Sequence, residues 1–172
     1  MKTLIKLVAV SVLILCGLQT VNAQSSKSQK KAAKEASVKK MVEDNSYVFK
    51  ANFANPQGGG RRTLTDDYDL VVSKDSLIAY LPYFGRAYIA PLNPTDGGIQ
   101  FTSTKFDYNT TKNKNGSWDV LIKPKDRNLG DWRDVQSLRL SIFSNGYASL
   151  SIISSNRSYI SYDGYIEERG KK

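Results

Sequence analysis

Residues 135–154 read VQSLRLSIFSNGYASLSIIS, two alternating runs about an Asn145-Gly146 pair. Apolar residues recur at every second position: Leu138, Leu140 and Ile142 before the pair, Ala148, Leu150 and Ile152 after it. A period of two is that of a strand with one buried face. Asn-Gly alone favours a two-residue type I′ turn. That register sets Ile142 against Ser149 and Leu140 against Ser151, a serine beside each core residue. Adding Ser144 to the loop pairs Ile142 with Ala148, Leu140 with Leu150 and Leu138 with Ile152. A one-residue slip flips every side chain to the other face, so burial outweighs turn preference. The reading is a Ser144-Asn145-Gly146 loop, a type I turn closed by a G1 bulge with Gly146 left-handed.

The same logic extends outward. Around Asn115-Gly116, a three-residue Lys114-Asn115-Gly116 loop pairs Lys112 with Trp118, Thr110 with Val120 and Tyr108 with Ile122. Upstream, Lys74-Asp75 as a two-residue turn sets Val72 opposite Leu77, Leu70 opposite Ala79 and Tyr68 opposite Leu81. Tyr47 to Phe53 alternates as a strand, and residues 99–102, 104–111, 117–123, 135–143, 147–154 and 158–166 supply the rest. The loops are 55–62 (NPQGGGRR), 92–98 (LNPTDGG) and 124–134 (PKDRNLGDWRD). Strands do not alternate with helical segments, so nothing supports a parallel sheet. The expected fold is mainly β: a single antiparallel β-barrel or β-sandwich of about eight strands, with an N-terminal α-helix packed at one end. Patterning does not separate barrel from sandwich.

Residues 80–88, YLPYFGRAY, form the densest block of positional demands. Pro82 lacks an N–H and should end a strand. Gly85 permits a positive φ or a close backbone approach. Arg86 lies among Tyr80, Tyr83, Phe84 and Tyr88, where a guanidinium can stack on a ring or hold an anion. An aromatic strand end that closes the core explains the block without a ligand. The functional alternative is the lip of a cleft for a small molecule or glycan, with Tyr80, Tyr83, Arg86 and Tyr88 as its contacts.

Together with Asp67-Tyr68-Asp69-Leu70, Lys74-Asp75-Ser76-Leu77, Gly98 to Ser103 (GIQFTS) and Phe106-Asp107-Tyr108, this block resembles the bacterial "domain of unknown function 4251" family. The resemblance runs from about Ala33 to Ile166. It implies an exported bacterial protein and carries over no catalytic residue.

The N-terminus reads as a secretory signal peptide at 1–23: Lys2 and Lys6, an apolar Leu7 to Leu15, and Val21-Asn22-Ala23 before Gln24. Cys16 would serve a lipoprotein anchor, but Leu15 stands where a lipobox needs a small residue. Cleavage leaves a periplasmic or secreted protein with no transmembrane segment. Losing Lys2 and Lys6 lowers the formal net charge from +9 to +7. The only cysteine leaves too, so the mature chain has no disulfide, thiol nucleophile or thiolate metal site. The remaining residues divide into a basic linker and helix at 24–45 and a β domain at 46–172, long enough for one sizeable core. Within 24–45, Gln24 to Gln29 reads as a mobile Ser/Lys-rich linker and Lys30 to Asp44 as helix. The helix stripe of Ala32, Ala33, Ala36, Val38, Met41 and Val42 is mostly alanine and promises little to the core. Six lysines between Lys27 and Lys40 read as a solvated face; an arm for anionic surfaces is the alternative.

The chain contains no histidine, which closes His-dependent triads, imidazole bases and imidazole metal ligands. No cofactor or metal is expected: Tyr68 and Leu70 interrupt the Asp66, Asp67, Asp69 cluster, and the Gly-rich loop lacks the Lys-Ser/Thr of a P-loop. No nucleic-acid motif is present, and export argues against that partner. These features favour a non-enzymatic binding or structural module of the envelope. The alternative is a carboxylate- or Tyr/Arg-based hydrolase acting on an envelope or glycan substrate, with Asp69, Asp75 and Asp107 as its acids.

Overall fold

A computed structural model describes residues 20–89, 97–126 and 134–170, with side chains from residue 27 onward. Most of the expected signal peptide, up to residue 19, and most of the loops at 92–98 and 124–134 lie outside those residues. Helix α1 (Thr20–Glu43) comes first. Ten strands follow: β1 (Tyr47–Pro56), β2 (Arg62–Thr63), β3 (Asp69–Val72), β4 (Leu77–Leu81), β5 (Ile99–Ser103), β6 (Phe106–Lys112), β7 (Trp118–Pro124), β8 (Val135–Ile142), β9 (Tyr147–Ser154) and β10 (Ile160–Glu167). Nine of them form one antiparallel path, β5-β4-β3-β1-β10-β9-β8-β7-β6, with β2 paired to β1. The path curls into a nearly closed barrel. Each strand from β3 to β5 and from β6 to β10 pairs with its sequence neighbour, and β1 joins β3 to β10.

Both Asn-Gly hairpins adopt the register that burial demands. Ile142 pairs with Ala148, Leu140 with Leu150 and Leu138 with Ile152. Lys112 pairs with Trp118, Thr110 with Val120 and Tyr108 with Ile122. Gly146 N donates to Phe143 O at 2.9 Å and Gly116 N to Asn113 O at 3.1 Å. The glycines stand at φ 90° and 82°, the left-handed conformation of a G1 bulge. Each asparagine braces its turn: Tyr147 N donates to Asn145 Oδ1 and Ser117 N to Asn115 Oδ1, both at 3.1 Å. The Lys74-Asp75 turn also holds, with Val72 opposite Leu77 and Leu70 opposite Ala79. The ladder ends at Asp69 and Tyr80, however, short of the expected Tyr68–Leu81 pair, and Tyr68 stacks on Tyr80.

Helix α1 corrects two expectations. It extends through Gln24 to Gln29 rather than starting at Lys30. No Gly or Pro interrupts residues 20–44, and once nucleated a helix adds residues cheaply. Its last turn is core: Val38 and Val42 are fully buried and Met41 nearly so, while Ala32, Ala33 and Ala36 are exposed. The turn packs at the barrel end where β8 meets β9, with Val38 beside Gly146, and Tyr108 Oη reaches Val42 O at 3.4 Å. A Schellman motif ends the helix. Ser46 N donates to Met41 O (3.0 Å) and Asn45 N to Val42 O (3.3 Å), with Asn45 left-handed at φ 50°.

Strand β1 carries a β-bulge. Ala51 pairs with Gly164 and Phe53 with Asp163, so Asn52 is the extra residue. Strict alternation would send Phe53 inward behind Tyr47, Phe49 and Ala51. The bulge sets both Asn52 and Phe53 outside, and Ala54 resumes the core. Gly164 permits the crowding opposite: a Cβ there would lie 1.8 Å from Lys50 O.

Candidate functional site

Strand β4 ends at Leu81, immediately before Pro82. The chain then pairs with the approach to β10: Tyr88 N donates to Asn156 O (2.8 Å) and Ser158 N to Arg86 O (2.9 Å). Gly85 serves a close approach rather than a positive φ. A Cβ there would sit 2.3 Å from Tyr83 Oη and 2.7 Å from Ser158 Oγ. Tyr83 Oη lies within 3.0 Å of Arg86 O, Ser158 O and Ser158 Oγ. It has one proton to donate to a carbonyl and can accept one from the serine.

Guanidinium–ring contacts occur in this block, but other arginines make them. Arg157, only 6% exposed, lies 4.8 Å from the Tyr83 ring and donates to Gly98 O at 2.9 Å. Arg62, delivered by the Gly-rich loop, lies 4.8 Å from the Phe84 ring. Arg86 itself is exposed and engages its neighbours through its backbone. Tyr80 stacks on Tyr68, centroids 5.6 Å apart, on the outer face of β4. Tyr88 is exposed. Tyr83 and Arg86 are therefore knotted together through Ser158, Tyr80 belongs to a separate ring pair, and Tyr88 follows the knot on the surface. Arg157, which nothing in its local sequence singles out, is the buried cation of this region among the described residues.

The barrel interior beside this knot is filled. Ile99, Val135, Ile152, Ile160, Tyr83 and Arg157 surround a cavity of about 10 Å³, at most one water. Burial pushes the hydroxyls of Tyr47, Tyr108 and Tyr162 upward in pKa, so these interior rings stay neutral. Tyr162 donates to Pro82 O at 2.6 Å and Tyr47 Oη lies 3.2 Å from Tyr108 Oη. The three acids of the hydrolase alternative are dispersed. Asp69 on β3 is held by Lys50 at 3.1 Å, Asp107 on β6 by Lys125 at 2.5 Å, and Asp75 lies in the β3–β4 turn.

A second concavity lies on the outside, across β1, β10 and β9. It is an open groove of about 230 Å³ with Ala148 and Gly164 among its lining. Phe53 and Arg61 line it together, the guanidinium 3.8 Å from the ring centroid. Phe143 and Tyr147 line it too, 50% and 64% exposed. Asp163 lies in the groove, 3.5 Å from Arg61 and accepting from Asn55 Nδ2 at 2.9 Å. The sequence held only a faint signal for this site: Ala54, three residues after Ala51, can share its buried face only if β1 bulges between them.

These features define a class: a nearly closed antiparallel barrel, packed tightly beside Arg157, with a helix over one end and an aromatic groove outside. The chain belongs to the family described as a domain of unknown function (DUF4251), which matches residues 29–166. It is similar to the crystal structure of a DUF4251 family protein from Bacteroides eggerthii, at 14% identity and a TM-score of 0.56, covering 80% of this chain and 91% of that one. No curated protein matches.

Proposed function

We propose that the protein is an exported, non-enzymatic binding module of the bacterial envelope that works through its outer surface. The observation that carries this reading is the tight packing beside Arg157: among the described residues, the space there admits no ligand larger than water. Exposed rings, by contrast, are plentiful outside, including Tyr80, Tyr88, Phe143, Tyr147, Tyr159 and Tyr165. Arg86 and Tyr88 remain in this proposal as surface contacts, with Tyr83 supporting them from beneath. Export rests on the N-terminal pattern; cleavage after Ala23 would remove only the first turn of α1, far from Val38. Among the described residues no helix is long and apolar enough to cross a membrane.

Two measurements test the reading. N-terminal sequencing of the mature protein should begin at Gln24; a start at a lipidated Cys16 would establish a lipoprotein instead. Mass spectrometry of protein purified from its native host should find a small molecule or glycan retained unchanged. Recovery of cleaved glycan, with cleavage lost in Asp69→Asn or Asp107→Asn, would identify a hydrolase.

A further inference from the structure

We infer that the groove between Phe53–Arg61 and Phe143–Tyr147 is a binding site for a neutral, hydroxyl-rich saccharide. The inference rests on the surface-binding reading above and names the ligand class for one site. Its volume of about 230 Å³ lies below the ~300 Å³ at which drug-sized sites begin, and suits a single pyranose ring.

Chemistry narrows the occupant. The groove crosses the face of β1, β10 and β9, whose backbones already pair with one another. An extended peptide needs an unpaired strand edge for its main-chain hydrogen bonds, and this face offers none. Side chains must do the recognising. Tyr147 and Phe143 present large apolar rings to solvent side by side, since Phe143 N donates to Tyr147 O at 2.9 Å. A sugar ring has an apolar C–H face that such rings can cover. Its rim carries hydroxyls that both donate and accept. The groove meets them with a carboxylate acceptor, Asp163, beside a guanidinium donor, Arg61, and a hydroxyl, Ser149. Arg61 and Asp163 are the charged groups lining the groove, and they face each other at 3.5 Å, so the site has no net charge to attract an anion.

The polar pair is held ready. Arg61 lies against Phe53, and Asn55 fixes Asp163. Phe53 reaches the outside only because of the Asn52 bulge, and the bulge is accommodated only because residue 164 is glycine. Bulges that re-aim a side chain recur beside functional sites. Preorganised planar polar groups reduce the ordering cost of binding a small ligand.

Amide NMR spectra of the full chain, titrated with neutral hexasaccharides (cellohexaose, maltohexaose, mannohexaose, chitohexaose), test the site. At least one sugar should give saturable shifts centred on Asn52, Ser149 and Gly164. Tyr147→Ala and Asp163→Asn should each weaken that binding roughly tenfold or more, while Tyr147→Trp retains it and Asn109→Ala on β6 leaves it unchanged. Absence of shifts with every neutral sugar at about 10 mM, a concentration that detects even millimolar affinity, overturns the inference. So does binding confined to inorganic phosphate or a polygalacturonate hexamer. In either case the broader binding-module reading stands or falls separately on what co-purifies with the native protein. If a bound sugar is cleaved, the site stands and the non-enzymatic reading fails.

Discussion

Arg86 and Arg157 separate two kinds of arginine that look alike in the sequence. Arg86 has an exposed side chain, so Arg86→Ala should change stability by no more than ~0.5 kcal/mol. Arg157 is buried against Tyr83 and bonded to Gly98 O, so Arg157→Ala should cost ~2–4 kcal/mol. Urea unfolding of both variants checks the pair; equal losses would mean that Arg86 also packs. The glycines give a second comparison. Gly116 and Gly146 share a left-handed φ, but only at Gly146 would a Cβ meet neighbours, Lys34 Cε at 3.0 Å and Val38 Cγ2 at 3.6 Å. Gly116→Ala should therefore cost about 1 kcal/mol from backbone strain alone. Gly146→Ala should cost somewhat more and shift the helix signals in an NMR spectrum. The aromatic block at 80–88 was legible as a place where arginine meets rings, but not which arginine. Arg62 and Arg157 arrive from distant sequence, and only the β1–β2 and β9–β10 connections bring them there.

Elements were legible wherever a period ran unbroken. The β8–β9 and β6–β7 hairpins followed from the positions of Leu, Ile and Val because a wrong register would bury serines. Strand β1 hid its bulge, since alternation through Phe53 looks complete until Ala54 breaks it. Helix α1 misled in the other direction: its composition is mostly alanine and lysine, and burial is concentrated in three residues of its last turns. That concentration sets an expected outcome for truncation. Deleting residues 24–35 removes only exposed or half-buried side chains among those described and should leave a cooperative transition close to the parent's. Deleting residues 24–42 also removes Val38, Met41 and Val42, and uncovers the end where Tyr47 meets Tyr108. Each such apolar side chain is worth ~1.5–3 kcal/mol, so the longer deletion should unfold a domain of ordinary stability. Circular dichroism melts distinguish the two. Retained cooperative folding in the longer deletion would show that the barrel closes without its helix.

At the scale of the molecule, the barrel is joined along every pair but one. Strands β5 and β6 stand at the two ends of the path, linked through Thr104 and Lys105. Asp126 pins that corner: Ser103 Oγ donates to it at 2.5 Å, Thr104 N at 2.8 Å and Lys105 N at 3.3 Å. These bonds, the serine's first, hold the Asp126 carboxyl below the usual range. Asp119 is lowered by Asn113 and then Ser141, which tie β7 to its neighbours. A carboxyl depressed in the folded state binds fewer protons there than in the unfolded chain, so its contribution is complete above the unfolded pKa near 4 and lost as pH falls below it. The buried tyrosines act at the other limit. Burial raises Tyr47 and Tyr162 above 10, so beyond that pH the unfolded chain releases protons that the folded one keeps, and stability falls. Each fully buried tyrosine adds a slope of about 1.4 kcal/mol per pH unit. Between these limits the chain has no histidine, and only the α-amino group and Cys16 have ordinary pKa values there. Melting temperature should therefore be nearly flat from about pH 5 to 9.5, decline below 4 and drop steeply above 10. Tyr162→Phe loses its hydrogen bond to Pro82 O and should be less stable at neutral pH, yet show a shallower alkaline slope by one proton. A transition near pH 6–7 would overturn this account, and an unchanged alkaline slope in Tyr162→Phe would show that Tyr162 releases its proton without unfolding.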